Sequence, residues 1–185
     1  MAKKTLNDLL VEELREIMDA EKQGVRAYPQ LIKAASSQSL KDALARHLEQ
    51  TKEQVERLNR IFEELDVRMR GKACETVRGL VEDARDMMEK DLSPQLIDVA
   101  LIAAAQKIEH FEIAAYGSAR AHAEALGLDS VAEQLETTLE EEKATDDKLN
   151  DLALNDINPK AVEMEDEIVE SEREAAADKP RRRKK

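Results

Sequence analysis

Four glutamates in this 185-residue chain occupy positions that should face inward. Glu21, Glu109, Glu112 and Glu142 interrupt seams of apolar residues spaced alternately three and four apart, the pattern of a helix face that packs against neighbours. The seams are Leu10, Leu14, Ile17, Glu21, Gly24, Tyr28, Leu31; then Leu40, Leu44, His47, Thr51, Gln54, Leu58, Ile61; then Ile102, Ala105, Glu109, Glu112, Tyr116, Ala119; and Val131, Leu135, Thr138, Glu142, Thr145, Leu149. A buried carboxylate carries a desolvation cost of several kcal/mol, and repulsion among four raises their pKa values further. No Lys or Arg sits in any seam at this level, so the expected counter-charge is a bound metal. An oxygen-rich site between helices suits iron or manganese, one or two ions, better than structural zinc. His47 and Gln54 lie on the second seam where they can complete or support the shell. The competing reading is a solvated polar layer, or the remnant of a lost site.

Whether these residues meet depends on the elements that carry them. Thr5 with Asp8 three residues on caps a helix running to about Ala35, and Ser36-Ser37-Gln38-Ser39 breaks it, with Ser39 and Asp42 opening the next. That second helix runs to about Leu65. Asp66 to Ala73 reads as a connection, and Cys74 to Lys90 as a short amphipathic helix. Ser93-Pro94 is an N-cap and first-turn pair for a long helix ending at Gly127, and a further helix starts at Asp129 or Ser130 and fades at Asn155 to Pro159. The expected fold is therefore all-α, two antiparallel hairpins joined by a long crossover with a short fifth helix, the topology of ferritin-like four-helix bundles. Folding the first hairpin at Ser37 sets Glu21 level with Thr51 and Gln54, and folding the second at Gly127 sets Glu109 and Glu112 level with Glu142 and Thr145. All the inward carboxylates then share one layer.

Composition narrows the class. Aromatics at 2%, with neither Trp nor many Gly, leave too few residues to fill a sheet core, so helix formers dominate. Formal charge is −12, and because Lys179 and Arg181 to Lys185 supply +6, the rest of the chain carries −18. A body so acidic repels nucleic acid and anionic membrane, leaving only the basic end as a conceivable nucleic-acid contact. No apolar run approaches the roughly 20 residues that span a bilayer. A single cysteine, Cys74, cannot form an internal disulfide, and a cytoplasmic location is expected. The expected domains are a bundle over 1–159 and an acidic, then basic, tail over 160–185, read as a frayed helix followed by a flexible end.

Several strings carry a resemblance: Asp19-Ala20-Glu21-Lys22-Gln23, His47-Leu48-Glu49-Gln50-Thr51 with Gln54-Val55-Glu56-Arg57-Leu58, Lys72-Ala73-Cys74, Gly79-Leu80, and above all Glu109-His110-Phe111-Glu112-Ile113-Ala114-Ala115-Tyr116-Gly117. Over about residues 5 to 157 the chain resembles the YciE/YciF family of bacterial stress-associated ferritin-like proteins. The resemblance implies a homodimeric bundle related to rubrerythrins and ferritins, a role in stress response, and a di-iron carboxylate type of site. Glu21 and Glu109 match the single glutamates of such sites, and Glu112 the additional carboxylate of rubrerythrins. Where the ferritin-like pattern has two Glu-x-x-His pairs, this chain has Thr51 with Gln54 and Glu142 with Thr145, so both of those histidines are missing.

Among the remaining residues, His110 is expected to support the layer from outside it or to pack between helices, and His122 to lie on the surface. Tyr28 and Tyr116, one heptad from Glu21 and Glu109, either bond a carboxylate or simply pack. Pro29 should kink the first helix. Two functions stand. One is a metal-binding protein that oxidises bound iron or manganese with oxygen or peroxide. The alternative is a non-catalytic stress-induced bundle acting through dimerisation or partner binding, with a degenerate metal site.

Overall fold

The structure, a computed structural model, describes residues 3–177. Six α-helices appear among them: α1 (Leu6–Ala34), α2 (Gln38–Glu64), α3 (Glu75–Met88), α4 (Pro94–Ala125), α5 (Asp129–Leu152) and α6 (Asn158–Ala177), with a π-helical turn at Ala153–Ile157. Hairpins α1/α2 and α4/α5 pack side by side as a four-helix bundle, and the crossover lays α3 across α1 and α4.

Local chemistry sets the ends of these helices. At the start of α1, Thr5 Oγ1 accepts from the Asp8 amide at 3.2 Å and Asp8 Oδ2 accepts from the Thr5 amide at 2.8 Å, a reciprocal capping box. Ser93 caps α4 with Pro94 behind it, as its sequence predicts. Gly127, at φ +70°, takes the left-handed conformation that closes the α4/α5 turn at little cost to a residue without Cβ. The cap of α2 is Ser37, two residues earlier than expected, because its hydroxyl accepts from the Leu40 amide while Ser39 instead donates to Asp156 at 2.6 Å.

The first turn is anchored from across the bundle. Asp98, buried in α4, accepts from the Ser36 amide at 2.7 Å, the Ser36 hydroxyl at 2.5 Å and the Ser37 amide at 2.9 Å. The crossover is pinned in a similar way, since Asp19 Oδ2 accepts from the Cys74 amide at 2.8 Å and Gln23 donates to the Cys74 carbonyl at 3.0 Å. Cys74 itself is fully buried, and burial pushes its thiol pKa up, consistent with an inert small hydrophobe.

The last helix of the bundle does not fade at Asn155. It widens into the π turn, in which the Asn158 amide donates to the Ala153 carbonyl, and continues as α6 against α4. Pro159 has no N–H to give, and the shifted register of the π turn accommodates it next to that wider ring. Pro29 likewise sits within the continuous α1 helix. The basic run from Lys179 to Lys185 lies outside the described residues.

Two apolar clusters fill the bundle. One surrounds Leu14, Ile17, Leu58, Ile61, Ala119 and Leu135, the other Leu31, Leu44, Leu101, Ala105 and Leu149. Between them lies a polar layer.

Candidate metal centre

Each of the four bundle helices contributes to that layer. Glu21 comes from α1, His47, Thr51 and Gln54 from α2, Glu109 and Glu112 from α4, and Glu142 from α5; all are buried, Glu21, Glu109 and Glu142 to 0% exposure. The hairpin register derived from the turns is the one observed. A Cβ on Gly24 would sit 3.3 Å from the Tyr28 ring and 3.6 Å from Thr51 Cγ2, so a residue without a side chain lets α1 and α2 close to this distance beside the layer.

At the centre, ligating atoms of His47, Glu109, Glu112 and Glu142 all lie within 4.8 Å of one another. His47 Nε2 stands 3.2 Å from Glu109 Oε1 and 3.9 Å from Glu142 Oε2. Glu21 shares the layer but lies outside this tightest group, and Gln54 shares it with its side-chain oxygen unpartnered. The two tyrosines cross between hairpins: Tyr28 of α1 donates to Glu109 Oε1 of α4 at 2.9 Å, and Tyr116 of α4 donates to Glu21 Oε1 of α1 at 2.5 Å. Each glutamate thus has one oxygen held by a phenol and the other turned inward.

The inward atoms are short of partners. Glu21 Oε2, His47 Nε2, Gln54 Oε1, Glu109 Oε2 and both oxygens of Glu142 are buried without a hydrogen bond. Buried polar groups are almost always satisfied, so a cluster of orphans in one layer points to a ligand or proton at that level. Four ionised carboxylates balance two divalent cations, and hard oxygen donors with one imidazole suit iron or manganese. The residues present therefore fit such a metal.

Electrostatics agree with the geometry. Burial pushes Glu21 up to about 7, against the opposing help of the Tyr116 hydrogen bond and the His47 charge. Glu112 and Glu142 are held well above the ordinary carboxylate range, first by burial and then by the neighbouring glutamates. His47 is shifted the other way: burial disfavours its charged form, but the adjacent Glu109 and then Glu21 outweigh that and raise its pKa. Protons and metal ions thus compete for the same atoms.

A neighbouring hydroxyl selects the tautomer of His47. Thr145 donates to the Glu141 carbonyl at 3.1 Å, so its oxygen accepts from His47 Nδ1 at 3.2 Å. With Nδ1 carrying the proton, Nε2 of the neutral ring presents a lone pair to the carboxylates. The threonine at a position where a ligand histidine is absent therefore orients another histidine, one turn before Thr51 on α2. Thr51 itself donates to the His47 carbonyl at 2.9 Å and is committed to its own helix.

Outside the layer, Arg57 grips Glu141 through two contacts of 2.9 Å and reaches Thr138 at 2.6 Å, while Gln54 donates to the same Glu141 at 3.1 Å. This buttress fixes Gln54 with its carbonyl oxygen turned inward; the seams do not reveal it, because Arg57 and Glu141 lie at the seam edge. His110 departs from its expected supporting position. It is exposed on the outer face, 3.4 Å from Asp146. His122 lies at the partly exposed surface, as expected, 3.2 Å from Glu13.

Comparison with known proteins places this chain among relatives. A protein-family profile, DUF892, described as a domain of unknown function, matches residues 5–162. The chain is 44% identical over 162 residues to protein YciF of Escherichia coli K12, covering 87% of this chain and 98% of that one. The crystal structure of the E. coli stress protein YciF superposes with a TM-score of 0.81 at 43% identity, covering 84% of this chain and 99% of the other. YcfI of Rhodopseudomonas palustris, for which a structural role has been suggested, matches with a TM-score of 0.79 at 40% identity over 82% and 96% of the two chains. A protein of Xanthomonas campestris pv. campestris at 19% identity, TM-score 0.64, with 80% and 90% of the chains covered, shares the fold.

Proposed function

The chain belongs to the YciF family of DUF892 domains, and on that premise we propose that it is a ferritin-like protein binding iron or manganese in stress response. One observation carries the reading: six polar atoms of the layer, from all four bundle helices, are buried without a partner. His47, Glu109, Glu112 and Glu142 would hold the metal, with Glu21 and Gln54 completing or supporting the shell. When bound, iron or manganese supplies one-electron redox chemistry that carboxylates favour by stabilising the higher oxidation state. The protein supplies the rest. Tyr28 and Tyr116 orient Glu109 and Glu21, Thr145 keeps the Nε2 lone pair of His47 directed inward, and the flanking apolar clusters hold bulk water away.

Metal ions are accordingly the principal partners, with oxygen or peroxide as oxidant, in a cytoplasmic homodimer. Among the described residues no helix is long and apolar enough to cross a membrane. The test is aerobic titration of the purified, chelator-treated protein with Fe(II) and Mn(II), read by elemental analysis after gel filtration. Stoichiometric retention of either metal, lost in a His47→Ala/Glu109→Ala variant, is the expected result. Retention no greater than in that variant overturns the reading.

A second reading is favoured by the tyrosine bonds, which already satisfy one oxygen each of Glu21 and Glu109 without metal, and by the structural role suggested for YcfI. In it the raised carboxylates simply keep their protons and the bundle acts through dimerisation or partner binding. Chelation would then leave the melting temperature unchanged.

A further inference from the structure

The bundle is covered unevenly. On the α1/α4 side, α3 lies over the layer, and Cys74, Val77 and Val81 close against Ala20, Ala27 and Ile108. On the opposite side, α2 and α5 meet with no helix above them among the described residues. A cleft of about 180 Å³ opens there.

From its composition we propose that this cleft binds a short-chain carboxylate; its floor includes His47, a ligand in the proposed metal reading, but the binding itself does not require metal. Its walls are apolar, formed by Ala43, Leu44, Ala144 and Leu149, and its floor is the hydrogen-bonded pair of His47 and Thr145. The rim carries Arg46, Gln50 and Lys148. Arg46 and Gln50 are one turn apart on α2 and so share a face, while Lys148 stands one turn beyond Ala144 on α5. Neither Arg46 nor Lys148 has an ion-pair partner among the described residues. Cations and an amide at the mouth with hydrocarbon beneath match a ligand that has an anionic head and a small apolar body.

The volume sets the scale. It is on the order of six waters' share of liquid volume, at about 30 Å³ each, which suits a four-carbon acid. Elsewhere the strongly acidic surface repels anions, so an anion that binds selectively must do so against local cations.

The probe is butanoate, titrated into the full chain after chelator treatment, with the ring resonances of the three histidines followed by NMR and assigned through His110→Gln and His122→Gln. A saturable shift of the His47 ring is expected, with His110 and His122 unmoved. Affinity should fall by at least about ten-fold in Arg46→Gln/Lys148→Gln, which removes two charge-assisted contacts on exposed side chains. Ala144→Leu, which fills the cleft from an exposed wall position, should abolish the shift. Butan-1-ol and butylammonium should bind less tightly than butanoate. No saturable shift at His47, equal affinity in the double variant, or butylammonium binding as tightly would each overturn the proposal. Because no metal is present in this experiment, its failure leaves the metal reading standing, and failure of the metal titration leaves this one standing.

Discussion

Replacing Glu142 by leucine is the most informative perturbation of the layer, because metal should narrow or invert the expected difference in stability. Glu142 is fully buried, and neither of its oxygens has a partner. Glu109, Glu112 and Glu21 all act to raise its pKa further. Exchanging a buried ionisable group for a hydrophobic one of similar volume is neutral or stabilising by up to about 4 kcal/mol. At about 2–4 °C per kcal/mol for a chain of this length, the variant should melt up to about 16 °C higher than the parent in EDTA. With Mn(II) at about 100 times its Kd, the parent gains about 2.7 kcal/mol, or about 5–11 °C, by mass action. The variant, lacking one ligand, gains less, so the gap narrows or inverts. Differential scanning calorimetry of both proteins, with EDTA and then with Mn(II), gives the four numbers needed. A lower melting temperature for Glu142→Leu in EDTA refutes the view that this carboxylate is an uncompensated cost of the metal-free fold. An equal metal-induced gain in both proteins refutes its role as a ligand.

The same physics sets a pH dependence. Glu21 titrates near 4.5 in the unfolded chain and about 7 in the fold, so its stabilising proton is fully in place below pH 4.5 and is lost as the pH rises through 7. That gap corresponds to about 3 kcal/mol. Glu112, Glu142 and His47, all raised, act in the same direction, so urea denaturation in EDTA should show lower stability at pH 8 than at pH 5.5. Added metal should reverse the slope, since binding displaces protons. Tyr116→Phe leaves Glu21 Oε1 without its donor and should cost about 1–3 kcal/mol in EDTA, measured by the same denaturation; an unchanged midpoint would show the bond to be dispensable. Asp98→Ala strips three hydrogen bonds from the Ser36–Ser37 turn and should cost about 2–3 kcal/mol while leaving metal stoichiometry intact, a separation that calorimetry with elemental analysis can read.

Much of the architecture is legible in periodicity alone. Apolar seams at three-four spacing and capping residues at Thr5, Ser93 and Gly127 define where helices lie, because these signals are local and each rests on a few neighbouring backbone groups. The carboxylate layer is legible too, since two tight turns convert sequence distance into height along the bundle. What periodicity obscures is the stretch from Asn155 to Pro159. Asn and Pro there signal an end, yet a single wide turn absorbs both and lets the helix run on as α6.

Residue types and spacing by themselves determine that four glutamates turn inward at one level of an all-α bundle, because a helix of fixed pitch leaves them no other face. They do not determine partnership. That Tyr28 serves Glu109 and Tyr116 serves Glu21 across the hairpins, that Thr145 sets the tautomer of His47, that Arg57 and Glu141 buttress Gln54, and that His110 faces solvent all depend on how two hairpins rotate against each other. Only tertiary packing sets that rotation, because contacts between residues 81 to 98 positions apart leave no mark on any local pattern.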